Sequence, residues 1–109
     1  MKARKATKKD AAGVAKVLID AYNIDTLKEG KEAFLTWLDE NQEFIVVEDA
    51  GEIAGIASWT IHDLPKHELA ELNKIAVLKK FKGKGHARTL FEEIVKEIKK
   101  FYKSKGFNL

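Results

Sequence analysis

The most constraining feature of the sequence is residues 76–91, where the pattern changes from strand to helix across a short basic loop. An apolar strand end is followed by Gly83 and Gly85 among lysines, and then by the first turn of a long amphipathic helix. Glycines let backbone N–H groups approach a bound anion closely, and a helix start adds N–H donors and a favourable dipole. This segment therefore predicts a phosphate-binding loop between a strand and a helix.

Length and composition limit the remaining possibilities. The chain has 109 residues, of which 45% are hydrophobic, so we expect one domain over residues 1–109. It has no cysteine, which excludes disulfides, thiolate nucleophiles and zinc–thiolate sites and fits a cytoplasmic location. No apolar run approaches the ~20 residues of a membrane span. The basic N-terminal residues are not followed by an apolar segment, so we expect no signal peptide.

Periodicity predicts an α+β domain. The predicted elements are an edge strand at 2–6, helices at 8–22 and 30–41, strands at 43–48, 53–62 and 67–78, and a helix beginning near Gly85. We expect the second and third strands to form an antiparallel hairpin and the fourth to pair antiparallel with the third. Residues 107–109 look like the start of a further strand. The last helix carries an apolar stripe predicted to be buried: Ala87, Leu90, Phe91, Ile94, Val95, Ile98, Phe101 and Tyr102.

The order of these elements and the loop sequence resemble the GNAT superfamily of acetyl-CoA-dependent N-acetyltransferases. The family signature is Gln/Arg-x-x-Gly-x-Gly/Ala, and Lys82, Gly85 and Ala87 stand at its first, fourth and sixth positions. Lys82 departs from the usual first residue but is positively charged, as arginine is. The resemblance covers the whole chain and implies a GNAT-like mixed sheet with flanking helices.

The resemblance also implies a cosubstrate, acetyl-CoA. In the family, backbone amides of this loop and of the helix start bind the pyrophosphate, and the preceding strand pairs with the pantetheine arm. The residues at the matching positions here are Ile75, Ala76, Val77, Lys82, Gly83, Lys84, Gly85, His86, Ala87 and Arg88. The alternative is that the two glycines only shape a tight turn.

Acetyl transfer to an amine requires a neutral amine, so a general base is expected, acting directly or through water. Some family members use a glutamate on the motif strand, and the matching residue here is Glu71. Strict strand alternation places Glu71 on one face with Asn73, Ile75 and Val77. If that face meets the acceptor cleft, Glu71 is the candidate catalytic residue. The alternatives are an ordinary exposed glutamate, or Glu68 as a weaker candidate base.

The resemblance leaves the activity open, because family domains continue beyond the long helix with a strand and a helix that usually carries a tyrosine acting as general acid. The chain is therefore expected to be a fragment of a longer acetyltransferase, a short form completed by another subunit, or a non-catalytic CoA-binding or dimerisation module. An unpaired edge on the motif strand predicts a homodimer. The acceptor, a small-molecule or peptide amine, cannot be read from the sequence.

Ten of the 20 lysines and arginines lie in residues 79–105, with three acids. This basic segment suits a polyphosphate ligand or nucleic acid; the alternative is an ordinary lysine-rich, solvated surface. We expect no nucleic-acid partner, because the aromatic residues of the last helix fall on its predicted buried stripe. Two histidines and two acids beside Pro65 match no standard metal-site spacing, and we interpret them as part of a surface hairpin: His62, Asp63, His67 and Glu68.

Overall fold

Four strands form one sheet in the computed structural model, which describes residues 2–63 and 68–106. The strands are β1 (Ala3–Lys5), β2 (Glu43–Asp49), β3 (Glu52–Asp63) and β4 (Glu68–Val77). Their order is β1-β2-β3-β4, and each neighbouring pair is antiparallel. The predicted hairpin, the pairing of β4 with β3 and the edge position of β1 are therefore confirmed. The strand predicted at 107–109 lies outside the described residues.

Three helices flank the sheet: α1 (Ala11–Ala21), α2 (Leu27–Asp39) and α3 (His86–Ser104). Short 3-10 turns at Lys8–Asp10 and Lys79–Phe81 precede α1 and α3. The α2 helix begins earlier than predicted because the Thr26 side chain caps it, its Oγ1 accepting a hydrogen bond from the Glu29 N–H at 3.1 Å. Among the described residues, none of the helices combines the length and apolar composition needed to span a bilayer.

Strand β3 lies at the centre of the core because both of its faces are buried. Ile56 belongs to one buried cluster, with Leu18 of α1 and Phe34 of α2. The next residue, Ala57, belongs to the other, with Leu90 of α3. Helices α1 and α2 therefore cover one face of the sheet and α3 covers the other, in the α+β arrangement that the sequence predicts.

The buried stripe of α3 is narrower than predicted. Leu90 and Ile94 are almost fully buried, as is His86 one turn earlier. Phe91 is 50% exposed, so its predicted burial is wrong, and Ala87 is exposed as well. The reason is angular, because successive residues of an α-helix are ~100° apart and Phe91 follows the centre of the stripe by one residue. The aromatic-burial argument against a nucleic-acid partner therefore does not hold for Phe91.

An ion-pair cluster ties β1 to the start of α1 and to β2. The Arg4 guanidinium donates two hydrogen bonds of 2.9 Å to the Asp10 carboxylate and one of 3.0 Å to Glu48. Asp10 also accepts a hydrogen bond from the Thr7 N–H at 2.7 Å, which is part of a capping box at this helix start. The hydrogen bonds from Arg4, and then that from Thr7, hold the pKa of Asp10 below its ordinary value of 3.8.

We predict that Asp10→Asn lowers the free energy of unfolding at pH 7 by about 1–2 kcal/mol, since hydrogen bonds to a charged, mostly buried carboxylate are lost. A folded pKa below the unfolded one means that the carboxylate stabilises the fold above the unfolded pKa and loses this effect as the pH falls through the folded pKa. Urea denaturation at several pH values should show that the free energies of unfolding of wild type and Asp10→Asn converge at acidic pH. The control is Asp39→Asn, at the exposed end of α2. A pH-independent difference between wild type and Asp10→Asn would contradict the assignment.

Candidate functional site

A cleft of ≈ 420 Å³ opens where β4 leads through the loop into α3. Seven of the ten residues predicted to bind the cosubstrate line it. The full lining set is Ala21, Ile75, Val77, Phe81, Lys82, Gly83, Gly85, His86 and Ala87. The cleft borders β4 on the side away from β3, and among the described residues β3 is the only strand that pairs with β4.

The loop at one end of the cleft has the geometry of an anion site. Gly83 and Gly85 have φ values of 84° and 86°, in the left-handed region that glycine adopts without strain. A Cβ atom added to either glycine would have no heavy atom within 4 Å, so open space borders the backbone. Gly85 caps α3, and the first N–H groups of a helix have no partner within it. The loop therefore presents N–H donors and the positive end of a helix dipole to the cleft.

The side chains of the loop add positive charge without blocking it. Lys82 and Lys84 are exposed, and the Lys84 ammonium lies 5.4 Å from the centroid of the Phe81 ring. Phe81 itself is buried in the core and fixes the start of the loop. The residues present therefore fit a pyrophosphate: two glycines leave room, a helix start donates, and two lysines neutralise charge.

Three of the predicted cosubstrate residues do not line the cleft. Ala76 faces the opposite side of the sheet and belongs to the core under α1 and α2. Arg88 is exposed and its Nε donates to Glu92 Oε1 at 3.0 Å. Lys84 stands outside the lining, over the Phe81 ring.

His86 occupies a different position from that predicted for a ligand-binding side chain. Its side chain is 0% exposed, and its Nε2 lies 2.9 Å from Asp49 Oδ2 at the end of β2. The imidazole is thus directed at the β2–β3 hairpin. A direct contact between this imidazole and a phosphate is incompatible with that placement, while the His86 backbone N–H remains at the start of α3. The physical reason is that His86 lies four residues before Leu90, on the buried stripe of α3.

Glu71 lies on β4, but the face predicted for it is wrong. It pairs with Thr60, whereas Ile75 pairs with Ala57, and residues 57 and 60 of β3 point to opposite faces. The cause is a β-bulge, because β4 residues 72 and 74 pair with consecutive residues of β3, which leaves Asn73 as an extra residue. Glu71 therefore faces the α1 and α2 side, while Ile75 and Val77 face α3.

The surroundings of Glu71 are polar and open. Its side chain is 58% exposed, and its Oε1 lies 2.9 Å from His62 Nε2. The Asn73 amide donates to the Thr60 hydroxyl beside it. No group of three or more metal-ligating side chains occurs within residues 2–63 and 68–106; His67, part of the hairpin interpretation, lies outside them.

Sequence reasoning missed three contributors to this region. Ala21 ends α1 and lines the cleft, and Phe81 closes the loop end. Phe81 could have been found, since a single apolar residue within a lysine run indicates burial. Lys74 lies on the α1 and α2 side, its ammonium 3.9 Å from the centroid of the Trp37 ring. Burial there lowers the pKa of the Lys74 ammonium.

Comparison with known proteins assigns the fold and the family. The family model described as acetyltransferase (GNAT) family matches residues 12–107. The chain belongs to the GNAT acetyltransferase family. Members of this family use acetyl-CoA as cosubstrate. A sequence search of curated proteins finds no match.

Solved structures share the fold at low sequence identity. A glucosamine-6-phosphate N-acetyltransferase from Arabidopsis thaliana matches with a TM-score of 0.71 and 19% identity, covering 99% of this chain and 91% of that one. An aminoglycoside 6′-N-acetyltransferase from Acinetobacter haemolyticus matches with a TM-score of 0.76 and 14% identity, covering 94% and 74%. A GNAT family N-acetyltransferase from Escherichia coli, solved in complex with CoA, matches with a TM-score of 0.70 and 23% identity. The match covers 91% of this chain and 56% of that one. These similarities confirm the predicted GNAT-like fold.

Proposed function

We propose that this GNAT domain transfers an acetyl group from acetyl-CoA to a primary amine, with acetyl-CoA bound in the cleft between β4 and α3. The observation that carries the proposal is the loop at residues 82–85. It joins left-handed glycines, open space and two exposed lysines to the first turn of α3, beside a cleft of ≈ 420 Å³. This set of features suits a pyrophosphate.

Different residues of the chain would bind different parts of acetyl-CoA. The N–H groups of the loop and of the first turn of α3 would donate to pyrophosphate oxygens, and Lys82 and Lys84 would neutralise charge. At Ile75 and Val77, the edge of β4 that faces away from β3 offers backbone groups and apolar side chains to the extended arm. When bound, acetyl-CoA supplies an activated thioester carbonyl for attack by an amine.

Glu71 is the proposed general base. Its carboxylate would accept the proton of the acceptor ammonium, directly or through water, which leaves the amine nucleophilic. In support, Glu71 lies on β4 four residues before Ile75 of the cleft and is open to solvent. His62, within hydrogen-bonding distance, orients the carboxylate. Because Glu71 faces the α1 and α2 side, the proposal places the acceptor amine on that side of β4.

A second candidate function is a CoA-binding module without catalysis. One observation favours it, because the proposed base lies on the opposite face of β4 from Ile75 and Val77. The two functions differ in a simple measurement, since the module binds acetyl-CoA but releases no free thiol with any amine tested.

For the binding site, we predict that Gly85→Ala weakens acetyl-CoA binding at least about tenfold by isothermal titration calorimetry. A Cβ would occupy the open space beside the loop and disfavour its left-handed backbone. Gly106→Ala is the matched control, because Gly106 has a φ of 89° and open space within 4 Å of an added Cβ, but lies beyond the far end of α3. Both variants carry a similar backbone cost. Equal acetyl-CoA affinity in the two variants would contradict the location of the site.

For the chemistry, we predict that Glu71→Gln lowers the rate of thiol release from acetyl-CoA about 10²–10⁴-fold with a reactive amine, the usual contribution of a general base. The loss should be greatest below the pKa of the acceptor amine, where deprotonation is required. The pH–rate profile measures this, with Glu43→Gln, an exposed glutamate on β2, as control. An unchanged profile removes Glu71 from the mechanism.

The homodimer stays a proposal, and two exposed apolar side chains support it. Leu72 of β4 is 45% exposed and Phe91 of α3 is 50% exposed. We predict a dimer by light scattering at micromolar concentration, and a shift toward monomer for Leu72→Ser and Phe91→Ser. Ile19→Ser, which changes an exposed apolar residue on α1, should leave the mass unchanged. A monomeric wild-type protein would overturn the proposal.

A further inference from the structure

The pyrophosphate loop has little packing of its own. Residues 82–85 are all exposed, and neither glycine has a side chain to pack. Its two flanking residues are instead buried: Phe81 is 7% exposed and His86 is 1% exposed. Their rings meet edge to face, with centroids 5.9 Å apart at 87°. The position of the loop therefore depends on where these two residues are held.

Among the described residues, one polar contact holds the His86 side chain. Its Nε2 lies 2.9 Å from Asp49 Oδ2, and an ionised carboxylate can only accept, so Nε2 donates. The Nδ1 atom is buried and has no hydrogen-bond partner in the described part of the chain. If the Asp49 carboxylate were removed, both ring nitrogens would lack partners, and burial of unpaired polar groups is costly. Movement of the imidazole ring toward water would then be energetically favourable.

Asp49 is itself well fixed. It is the last residue of β2 and pairs with Glu52 across the β2–β3 hairpin. Ala50 and Gly51 between them have φ values of 52° and 80°, the left-handed pair of a tight two-residue turn. The hydrogen bond therefore links the turn end of the β2–β3 hairpin to the first residue of α3. Any movement of His86 would displace the first turn of α3 and the N–H groups that face the cleft.

We propose that the Asp49–His86 hydrogen bond positions the pyrophosphate loop, which makes Asp49 and His86 positioning residues for acetyl-CoA binding. The inference rests on the proposed function. It assigns to His86 a role through the backbone of its loop, since its buried imidazole does not reach a ligand. Asp49 lies 37 residues away in sequence and outside the cleft lining.

The test changes Asp49, because a change at fully buried His86 could disrupt folding. Asp49→Ala removes the acceptor. Asp49→Asn keeps an acceptor oxygen at the same place and should rescue binding. Glu48→Ala is the matched control: it removes a neighbouring carboxylate on the same strand, one that pairs with Arg4 and not with the loop. Circular dichroism and thermal denaturation establish that each variant is folded.

Two ligands separate positioning from general stability. Acetyl-CoA carries the pyrophosphate, and S-acetylpantetheine carries the thioester arm without it. For Asp49→Ala, we expect the Kd of acetyl-CoA to rise about tenfold and that of S-acetylpantetheine to stay unchanged, both measured by NMR titration. Asp49→Asn and Glu48→Ala should stay within about threefold of wild type. An equal loss for both ligands, or an Asp49→Ala protein that matches Glu48→Ala, overturns the inference.

A ligand-free measurement distinguishes failure of this inference from failure of the proposed function. Amide hydrogen exchange at Thr89, whose N–H donates to the Gly85 carbonyl, should be faster in Asp49→Ala than in wild type, Asp49→Asn or Glu48→Ala. Unchanged exchange overturns the positioning role even if acetyl-CoA binds wild type. Faster exchange with no acetyl-CoA binding to wild type overturns both the proposed function and the ligand assigned to the loop.

Discussion

The two-sided burial of β3 is the constraint on which the rest of the structure depends. Ile56 and Ala57 are adjacent and fully buried, and they face different helices. A one-residue slip of this strand would exchange its two faces, so its register is strongly fixed. Because β4 pairs only with β3 among the described residues, the place where β4 ends is fixed too. The loop and the start of α3 follow from that place, and with them the cleft.

The same register explains which part of the site could be predicted. Hydrophobic periodicity and glycine placement indicate the elements, their order and the strand–loop–helix unit, since each depends on neighbours in sequence. The face of Glu71 could not be derived from strict alternation, because one extra residue at Asn73 reverses it. A sign of the bulge was present: Leu72 and Ile75 are apolar residues on one face with two polar residues between them, where alternation allows one.

The placement of His86 shows the other limit of local reasoning. Within the loop it resembles its exposed neighbours, Lys84 and Arg88. The spacing from Leu90 puts it on the buried stripe, which the periodicity of the whole helix indicates. Its partner, Asp49, lies in another element and is brought near only by the packing of α3 on the sheet. Tertiary contacts of this kind leave no periodic signal, so local sequence assigns the imidazole to the ligand whereas the fold directs it inward.

These features reconcile two opposed demands on the anion-binding loop that we propose. The backbone must stay bare and open so that N–H groups reach the ligand, which excludes side-chain packing within the loop. Yet mobile N–H donors bind a ligand weakly, because ordering them on binding costs conformational entropy. The structure separates the demands in sequence: Gly83 and Gly85 supply openness, while Phe81 and His86 on either side supply fixed positions. A buried polar anchor suits the second position because a hydrogen bond, unlike apolar packing, also fixes the orientation of the ring and so of the helix start that carries it.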